Sequence, residues 1–199
     1  MAKNTWFKTA GTWKKAVNVW QNINGVWKQR VIPKGNISGV WKDFIQYIIN
    51  LYINGISNVS WGLYKSRTQT IASIAYSEQT LNFNFRCDSD GAGSSRSFAM
   101  YTPEMYDLTS ASKVTVEFAE IRLGTSTQNN PLYLIVSTQQ TGLATVYNAR
   151  TSYFKTGVSS NITLELDVSS LSGDFYIRLN ATNTDVNDNY AHIRKITIE

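Results

Sequence analysis

The chain says nearly the same thing three times. Gly11-Thr12-Trp13-Lys14 returns as Gly25-Val26-Trp27-Lys28 and again as Gly39-Val40-Trp41-Lys42, a period of 14 residues. The units GTWKKAVNVWQNIN (11–24), GVWKQRVIPKGNIS (25–38) and GVWKDFIQYIINLY (39–52) share six slots: Gly first, Trp third, Lys fourth, Val or Ile seventh, Asn twelfth, Ile or Leu thirteenth. A half-unit over residues 6–10 fits the same frame. After the third unit the frame slips by two, and Asn54-Gly55 takes over the turn position. Self-similarity at a fixed period marks a structural unit that cannot bury its apolar face alone and stacks on its copies.

The simplest unit is a β-hairpin. Asn24-Gly25 stands between Ile23 and Val26, the strongest short-range signal for a two-residue turn with positive φ. Ser38-Gly39 and Ala10-Gly11 are weaker versions. That turn pairs 23 with 26, 22 with 27, 21 with 28 and 20 with 29, and it puts Trp20 and Trp27 on one face. Trp6 and Trp13 repeat the geometry, while Lys34 takes the second tryptophan's place in the third hairpin. A helix is excluded because β-branched residues and recurring turn dipeptides break any 3.6-residue period. Isolated hairpins are marginal in water, so the indoles of Trp6, Trp13, Trp20, Trp27 and Trp41, with the turn glycines Gly11, Gly25 and Gly39, read first as an assembly device. The competing reading is a ladder of rings for stacking sugars, choline or bases.

The net charge of +5 is unevenly placed. Residues 1–43 hold eight Lys/Arg and only Asp43, which is +7. Residues 44–199 hold eleven basic and thirteen acidic residues, which is −2. A basic segment with interleaved aromatics is compatible with nucleic acid. However, the lysines follow the repeat register and form no dense run, so the expectation is a solvated basic face or one that docks on an acidic protein partner. The N-terminus has no apolar run of the signal-peptide kind. Residues 44–64 carry no charge, but Gln46, Asn50, Asn54, Gly55, Ser57, Asn58 and Ser60 interrupt them, which argues against membrane insertion. Cys87 is the one cysteine and reads as a buried thiol, not a staple.

From about residue 56 the tandem pattern gives way to short alternating runs: 80–86, 113–121, 132–137, 145–149, 161–168, 174–180 and 192–198. Val114, Val116 and Phe118 share one phase; so do Ile162, Leu164, Leu166 and Val168, and Phe175, Ile177 and Leu179. About eight strands with no helical stretch predict an antiparallel sandwich of jelly-roll type. The chain is therefore expected to be all-β, with tandem β-hairpin repeats over 1–55 and a jelly-roll-like β-sandwich over 56–199.

The phrases YDLTSASKVTVEF (106–118) and LELDVSSLSGDFYIRLN (164–180), followed by a terminal strand, resemble the C-terminal β-sandwich of many bacteriophage tail, baseplate and other virion proteins. Those sandwiches in turn resemble carbohydrate-binding modules. Gly-Val-Trp-Lys repeats ahead of such a sandwich also resemble structural proteins from phages of Gram-positive hosts. The resemblance implies a virion component made in the host cytoplasm, a homo-oligomer with a trimer favoured, other virion proteins as partners, and an outward module for host surface glycan. The alternatives are a cell-wall carbohydrate-binding module and a capsid decoration or head-fibre protein.

Chemistry is sparse. One His and one Cys cannot make a zinc site. DSDGAG (88–93) and TDVNDN (184–189) have the composition of calcium loops without the full ladder of oxygen ligands, and turns need the same residues. Glu117, Glu120, Glu165 and Asp167 are the strand carboxylates a glycosidase pair would draw on, but Glu117 and Glu165 alternate with apolar neighbours and should face solvent. No nucleophile elbow and no phosphate loop occurs, so the expectation is a non-enzyme with no cofactor and no metal. For sugar binding the tools are exposed aromatics and convergent polar groups. Trp61 and Tyr64, near a loop and outside the alternating runs, are the ligand-binding candidates; Tyr101, Tyr106, Tyr133, Tyr147 and Tyr153 are expected mostly in the core or at its edge.

Overall fold

The computed structural model describes residues 5–9, 12–16, 19–23, 26–30, 34–37, 40–43, 48–66, 70–87, 96–124, 131–141, 147–183 and 188–199. All regular structure among them is β. The strands run β1 (Thr5–Thr9), β2 (Thr12–Ala16), β3 (Val19–Ile23), β4 (Val26–Arg30), β5 (Lys34–Ile37), β6 (Val40–Asp43), β7 (Ile49–Ile53), β8 (Ile56–Ser57), β9 (Gly62–Lys65) and β10 (Thr70–Tyr76). They continue as β11 (Leu81–Cys87), β12 (Arg96–Tyr101), β13 (Tyr106–Asp107), β14 (Lys113–Leu123), β15 (Leu132–Ser137), β16 (Ala149–Tyr153), β17 (Gly157–Asp167), β18 (Asp174–Asn183) and β19 (Asn189–Ile198).

The repeats form hairpins in the register their turn dipeptides dictate. β1 pairs β2, β3 pairs β4 and β5 pairs β6, each antiparallel and each a separate two-stranded sheet among the described residues. The closing pairs are Thr9 with Thr12, Ile23 with Val26, and Ile37 with Val40. Gln21 faces Lys28, and Asn22 faces Trp27, as the Asn24-Gly25 signal requires. Gly11, Gly25 and Gly39, and the side chains of Trp6, Trp13, Trp20, Trp27 and Trp41, lie outside the described residues.

The fourth hairpin has a different fate. Asn54 (φ 45°) and Gly55 (φ 89°) make a two-residue turn with both central residues left-handed, the geometry that matches strand twist. It joins β7 to β8, with Ile53 facing Ile56. Tyr52, fully buried, accepts the Gly55 N–H on its hydroxyl at 2.9 Å and ties the turn down. But β7 also pairs with β19. The strand that the repeat frame assigns to the end of the third unit, inside the 1–55 segment, is thus part of the sandwich, and residues 50–198 form a compact unit of their own.

That unit is two antiparallel sheets packed face to face. The first runs β10-β11-β19-β14-β17, with β7 also on β19 and β8 on β7. The second runs β16-β15-β18-β12-β9, with β13 added to β18. The chain crosses between sheets repeatedly, so neighbours in a sheet are distant in sequence, as in jelly rolls. Phe83, Phe118 and Ile193 from the first sheet and Phe98, Leu134 and Leu179 from the second are at most 1% exposed. Phe85 meets Phe98 across the layers at 5.5 Å between ring centroids. The apolar phases of 113–118, 162–168 and 175–179 all point inward, and Cys87 is buried. The strand number exceeds the eight expected. Of the run expected at 145–149, residues 145 and 146 lie outside the described residues, as do 142–144, and β16 begins at Ala149.

The first sheet carries a row of irregularities that alternation could not announce. Between β14 and β19 the register shifts around Phe118. The inward phase steps by three, from Phe118 to Ile121 on β14 and from Ile193 to Ile196 on β19. On β17 the same level holds Asn161 at φ 55°, whose Oδ1 accepts from Arg194 at 2.7 Å. A β-bulge inserts one residue and bends its strand; here each bulge keeps the apolar face inward on both sides of it.

The two quoted phrases of resemblance form matching turns. Asp107 Oδ1 accepts from the backbone N–H and hydroxyl of Thr109 at 2.9 and 2.6 Å, and Asp167 Oδ1 does the same with Ser169 at 2.9 and 2.7 Å. The turns interlock, since Leu108 N–H donates to the Gly173 carbonyl and Val168 N–H to that of Ser112. These hydrogen bonds hold both carboxyls below the usual carboxylate range, chiefly through the hydroxyl.

Candidate functional site

On β18, Phe175, Ile177, Leu179 and Ala181 face the core, so Arg178 and Asn180 belong to the opposite, outer face of the second sheet. Register builds that face in two rows. One runs Gly62, Tyr101, Arg178, Ile135, Arg150; the other runs Tyr64, Ala99, Asn180, Tyr133, Ser152. Five strands contribute one residue each to each row.

The middle of the face is a buried floor: Arg178, Asn180 and Ile135 are each 0% exposed. Burial strips water from the Arg178 guanidinium and lowers its pKa, although an arginine stays protonated at any ordinary pH. Tyr64, Tyr101 and Tyr133 are half-buried around this floor, and Arg150 is exposed.

Two arrangements of rings stand out. A side chain on Gly62 would put its Cβ 2.3 Å from Cε2 and Cζ of Tyr101 and 2.8 Å from its hydroxyl. The outer end of the tyrosine ring therefore lies over the bare glycine backbone of β9, and Tyr101 is half-buried there. At the far end of the row the Arg150 guanidinium carbon sits 4.3 Å from the ring centroid of Tyr147 and 5.1 Å from that of Tyr133, within cation–π range. Tyr147 is 43% exposed. Among the described residues of the two rows there are two arginines and no carboxylate.

Glu117, Glu120, Glu165 and Asp167 lie on the other sheet, each with its own partner. Lys195 Nζ is 3.1 Å from Glu117 and Lys113 Nζ is 2.6 Å from Glu165, exposed cross-strand pairs worth ~0–1 kcal/mol each. Tyr190 donates its hydroxyl to Glu120, a hydrogen bond that raises the tyrosine's pKa, and its ring stacks on His192 at 4.4 Å. Asp167 is held in its turn with Ser169. Glu117, Glu120, Glu165 and Asp167 are thus distributed among a lysine, a tyrosine, another lysine and a serine. Of the two candidate calcium loops, 88–93 and 184–187 lie outside the described residues; Asp188 pairs with Arg86 at 3.0 Å. Among the described residues no three His, Cys, Asp or Glu side chains group to hold a metal ion.

The sequence candidates separate. Tyr64 stands in the second row of the outer face, paired with Ala99. Trp61 precedes β9 outside both rows, and its indole N–H donates to Ser57 Oγ at 3.2 Å. Tyr101, Tyr133 and Tyr147, expected mostly in the core or at its edge, join Tyr64 on the outer face. Arg150, Arg178 and Asn180 were not singled out. The signal for the last two was present in DFYIRLN, where they occupy the phase that Phe175, Ile177 and Leu179 leave open.

No family model and no curated protein sequence matches the chain. Among solved structures it is similar to the family 11 carbohydrate-binding module of Clostridium thermocellum, solved with a β-1,3-1,4-mixed-linked tetrasaccharide. Identity there is 13%, over 76% of this chain and 94% of that one, with a TM-score of 0.44. It is similar to the K1 cleaved adhesin domain of Lys-gingipain from Porphyromonas gingivalis W83, at 13% identity over 77% of this chain and 98% of that one, TM-score 0.49. A carbohydrate-binding module with specific mannan recognition aligns at 8% identity over 77% and 98%, TM-score 0.41. The likeness is one of fold.

Proposed function

We propose that the chain is a virion structural protein whose sandwich binds host surface glycan on the outer face of its second sheet. The observation that carries the glycan reading is Tyr101 lying across Gly62, beside Tyr64 and Tyr133 and above a floor that holds Arg178 and Asn180. A sugar ring has apolar C–H faces and a polar hydroxyl rim. A flat aromatic with amide and guanidinium groups beside it meets both needs, which a polar patch or an apolar patch alone does not. The four carboxylates a glycosidase pair would draw on, Glu117, Glu120, Glu165 and Asp167, belong to the other sheet, which supports a binding role for this face.

The assembly role rests on the first segment. Its three hairpins are separate two-stranded sheets among the described residues, and a two-stranded hairpin alone is marginal in water. Their stability calls for a partner surface, either sister copies of the chain or other virion proteins. The +7 charge of residues 1–43 favours an acidic one.

Two measurements test the reading. Light scattering of the full chain should give a homo-oligomer, a trimer by the resemblance to virion proteins, and antibody labelling should find the chain on purified particles. A stable monomer absent from particles overturns the assembly role. Pull-down on host cell walls should retain the protein and fail for Tyr101→Ala; retention of that variant at full strength overturns the glycan site.

A further inference from the structure

The edges of the sandwich are not alike. An edge strand presents a row of backbone groups to any other strand, and charge, a bulge or shortness keeps it from pairing with one. β8 and β13 are two residues long. β9 ends on Lys65, β16 contains Arg150, and β17 carries Glu165 and Asp167 and is bent at Asn161. β10 has none of these devices. Its sequence TIASIAY holds no charge, proline or glycine. It pairs β11 in unbroken register over seven residues, and among the described residues it pairs no other strand.

Both faces of β10 are open. Ile71, of the outward phase, is 47% exposed. Tyr76, level with the core residue Leu81, is 52% exposed, and Ala72 and Ile74, level with the core residues Phe85 and Phe83, are only half-buried. Just past the strand, the Ser77 N–H donates to the Thr80 carbonyl at 2.8 Å. Backbone groups alternate in direction along an antiparallel strand, so those of Ile71, Ser73 and Ala75 also turn toward β11. Those of Thr70, Ala72, Ile74 and Tyr76 turn to the outer edge.

The strand is complementary to itself. An antiparallel twofold centred on Ser73 pairs Thr70 with Tyr76, Ile71 with Ala75 and Ala72 with Ile74, so each large side chain meets a small one. The residues with edge-turned N–H and carbonyl groups then oppose one another, as ladder bonding requires. Charge agrees with this direction. Glu78 follows the strand and Arg67 precedes it. Antiparallel copies bring the acidic end of each to the basic end of the other, whereas parallel copies would set like against like.

We infer that β10 is a docking strand for a second copy of this chain, joining the first sheets of two sandwiches into one across a twofold axis at Ser73. The contact is isologous, separate from any that the tryptophan repeats make, and independent of the glycan reading.

The test is a set of single variants of the full chain. Ser73 is exposed and of outward phase, so Ser73→Lys should melt like the parent. It sets two like charges at the axis and should lower the mass read by light scattering twofold. Ser73→Cys creates a pair without ladder hydrogen bonds, whose Cα atoms lie about 4.5 Å apart, within disulfide range. With oxidised glutathione it should give a two-chain band on a non-reducing denaturing gel; the native Cys87 is buried. Ala75→Cys, also exposed, is displaced from its own mate by four residues, roughly 13 Å along the strand, and should not cross-link. A mass unchanged by Ser73→Lys, or Ala75→Cys cross-linking as readily as Ser73→Cys, overturns the inference and leaves an oligomer built on the repeats standing. A parent that is monomeric at every concentration overturns both. Particles that lose a different protein on Ser73→Lys, with the chain's own mass in solution unchanged, show that the edge takes a foreign strand and overturn the second copy as its occupant.

Discussion

Replacing Gly62 with alanine separates binding from folding in a way few substitutions can. Gly62 is not in the left-handed region, so alanine meets no backbone penalty there. The new Cβ would lie 2.3 Å from two ring carbons of Tyr101. Carbon atoms settle at about 3.5–4.0 Å, so the ring must move by roughly 1.2 Å or more. It can do so, because the clash is with the far end of a half-buried side chain that turns about two torsions. An off-rotamer ring costs ~0.5–1.5 kcal/mol, and alanine in place of a strand glycine returns ~0.5–1 kcal/mol. The net change in stability should lie within about 1 kcal/mol, a shift of ~2–4 °C in Tm for a chain of this size. Binding should respond more. Losing one aromatic contact is worth ~0.5–1.5 kcal/mol, about 2- to 12-fold in Kd. Calorimetric titration with the best glycan and a thermal melt on the same sample decide it. A variant that binds at full strength shows that the ring over β9 is not the platform. One that loses more than about 3 kcal/mol shows that the ring is a packing element instead.

Other substitutions report on the frame. Gly55→Ala meets both obstacles Gly62→Ala avoids, a φ of +89° and a Cβ 2.2 Å from the backbone carbonyl oxygen of Glu78. It should cost at least ~2 kcal/mol, seen as a lower melting midpoint. Asp107 and Asp167 have folded-state pKa values below their unfolded ones, so their turns stabilise the protein above the unfolded carboxylate pKa and lose that contribution as pH falls through the folded values. Asp107→Asn with Asp167→Asn keeps the acceptor oxygens and removes the titration, and melting midpoints measured from neutral to acid pH should then fall less steeply than the parent's. Burial, with a smaller contribution from the Glu104 charge, pushes Tyr106 up to about 12 from 10.0. Its raised pKa means stability is intact below pH 10 and declines as pH rises toward 12. Tyr106→Phe should remove a late-ionising component from the phenolate absorbance and lessen the alkaline decline in denaturation midpoint.

What could be read in advance follows the range of the interaction that decides it. The closing pairs of the hairpins sit where the turn dipeptides put them, because a two-residue turn fixes register within six residues. β14, β17 and β18 announced themselves through clean alternation, since one face of each meets the core. β12 did not, for a physical reason: RSFAMY puts Arg96 in the phase of Phe98 and Met100, and Ala99 on an outer face lined by the buried Asn180, so neither phase is cleanly polar or apolar and no period survives. The bulges around Phe118, Ala119 and Asn161 were equally silent, because alternation shifts phase there without any turn residue to mark it. Residues 49–52 carried the repeat pattern to its end and still joined the sandwich, because β19 runs on past the stretch that β11 covers and offers β7 its backbone there.

Periods, turns and charge signs belong to the chain alone. They determined that it is all-β, where its repeated hairpins close, and that its first segment is basic. The site belongs to the tertiary structure. Gly62, Tyr101, Arg178, Ile135 and Arg150 come from five strands scattered between positions 62 and 178, and only the crossing of strands between two sheets sets them side by side. A period of two tells a strand which residues share a face; which strands share a sheet is decided by how the two apolar layers pack.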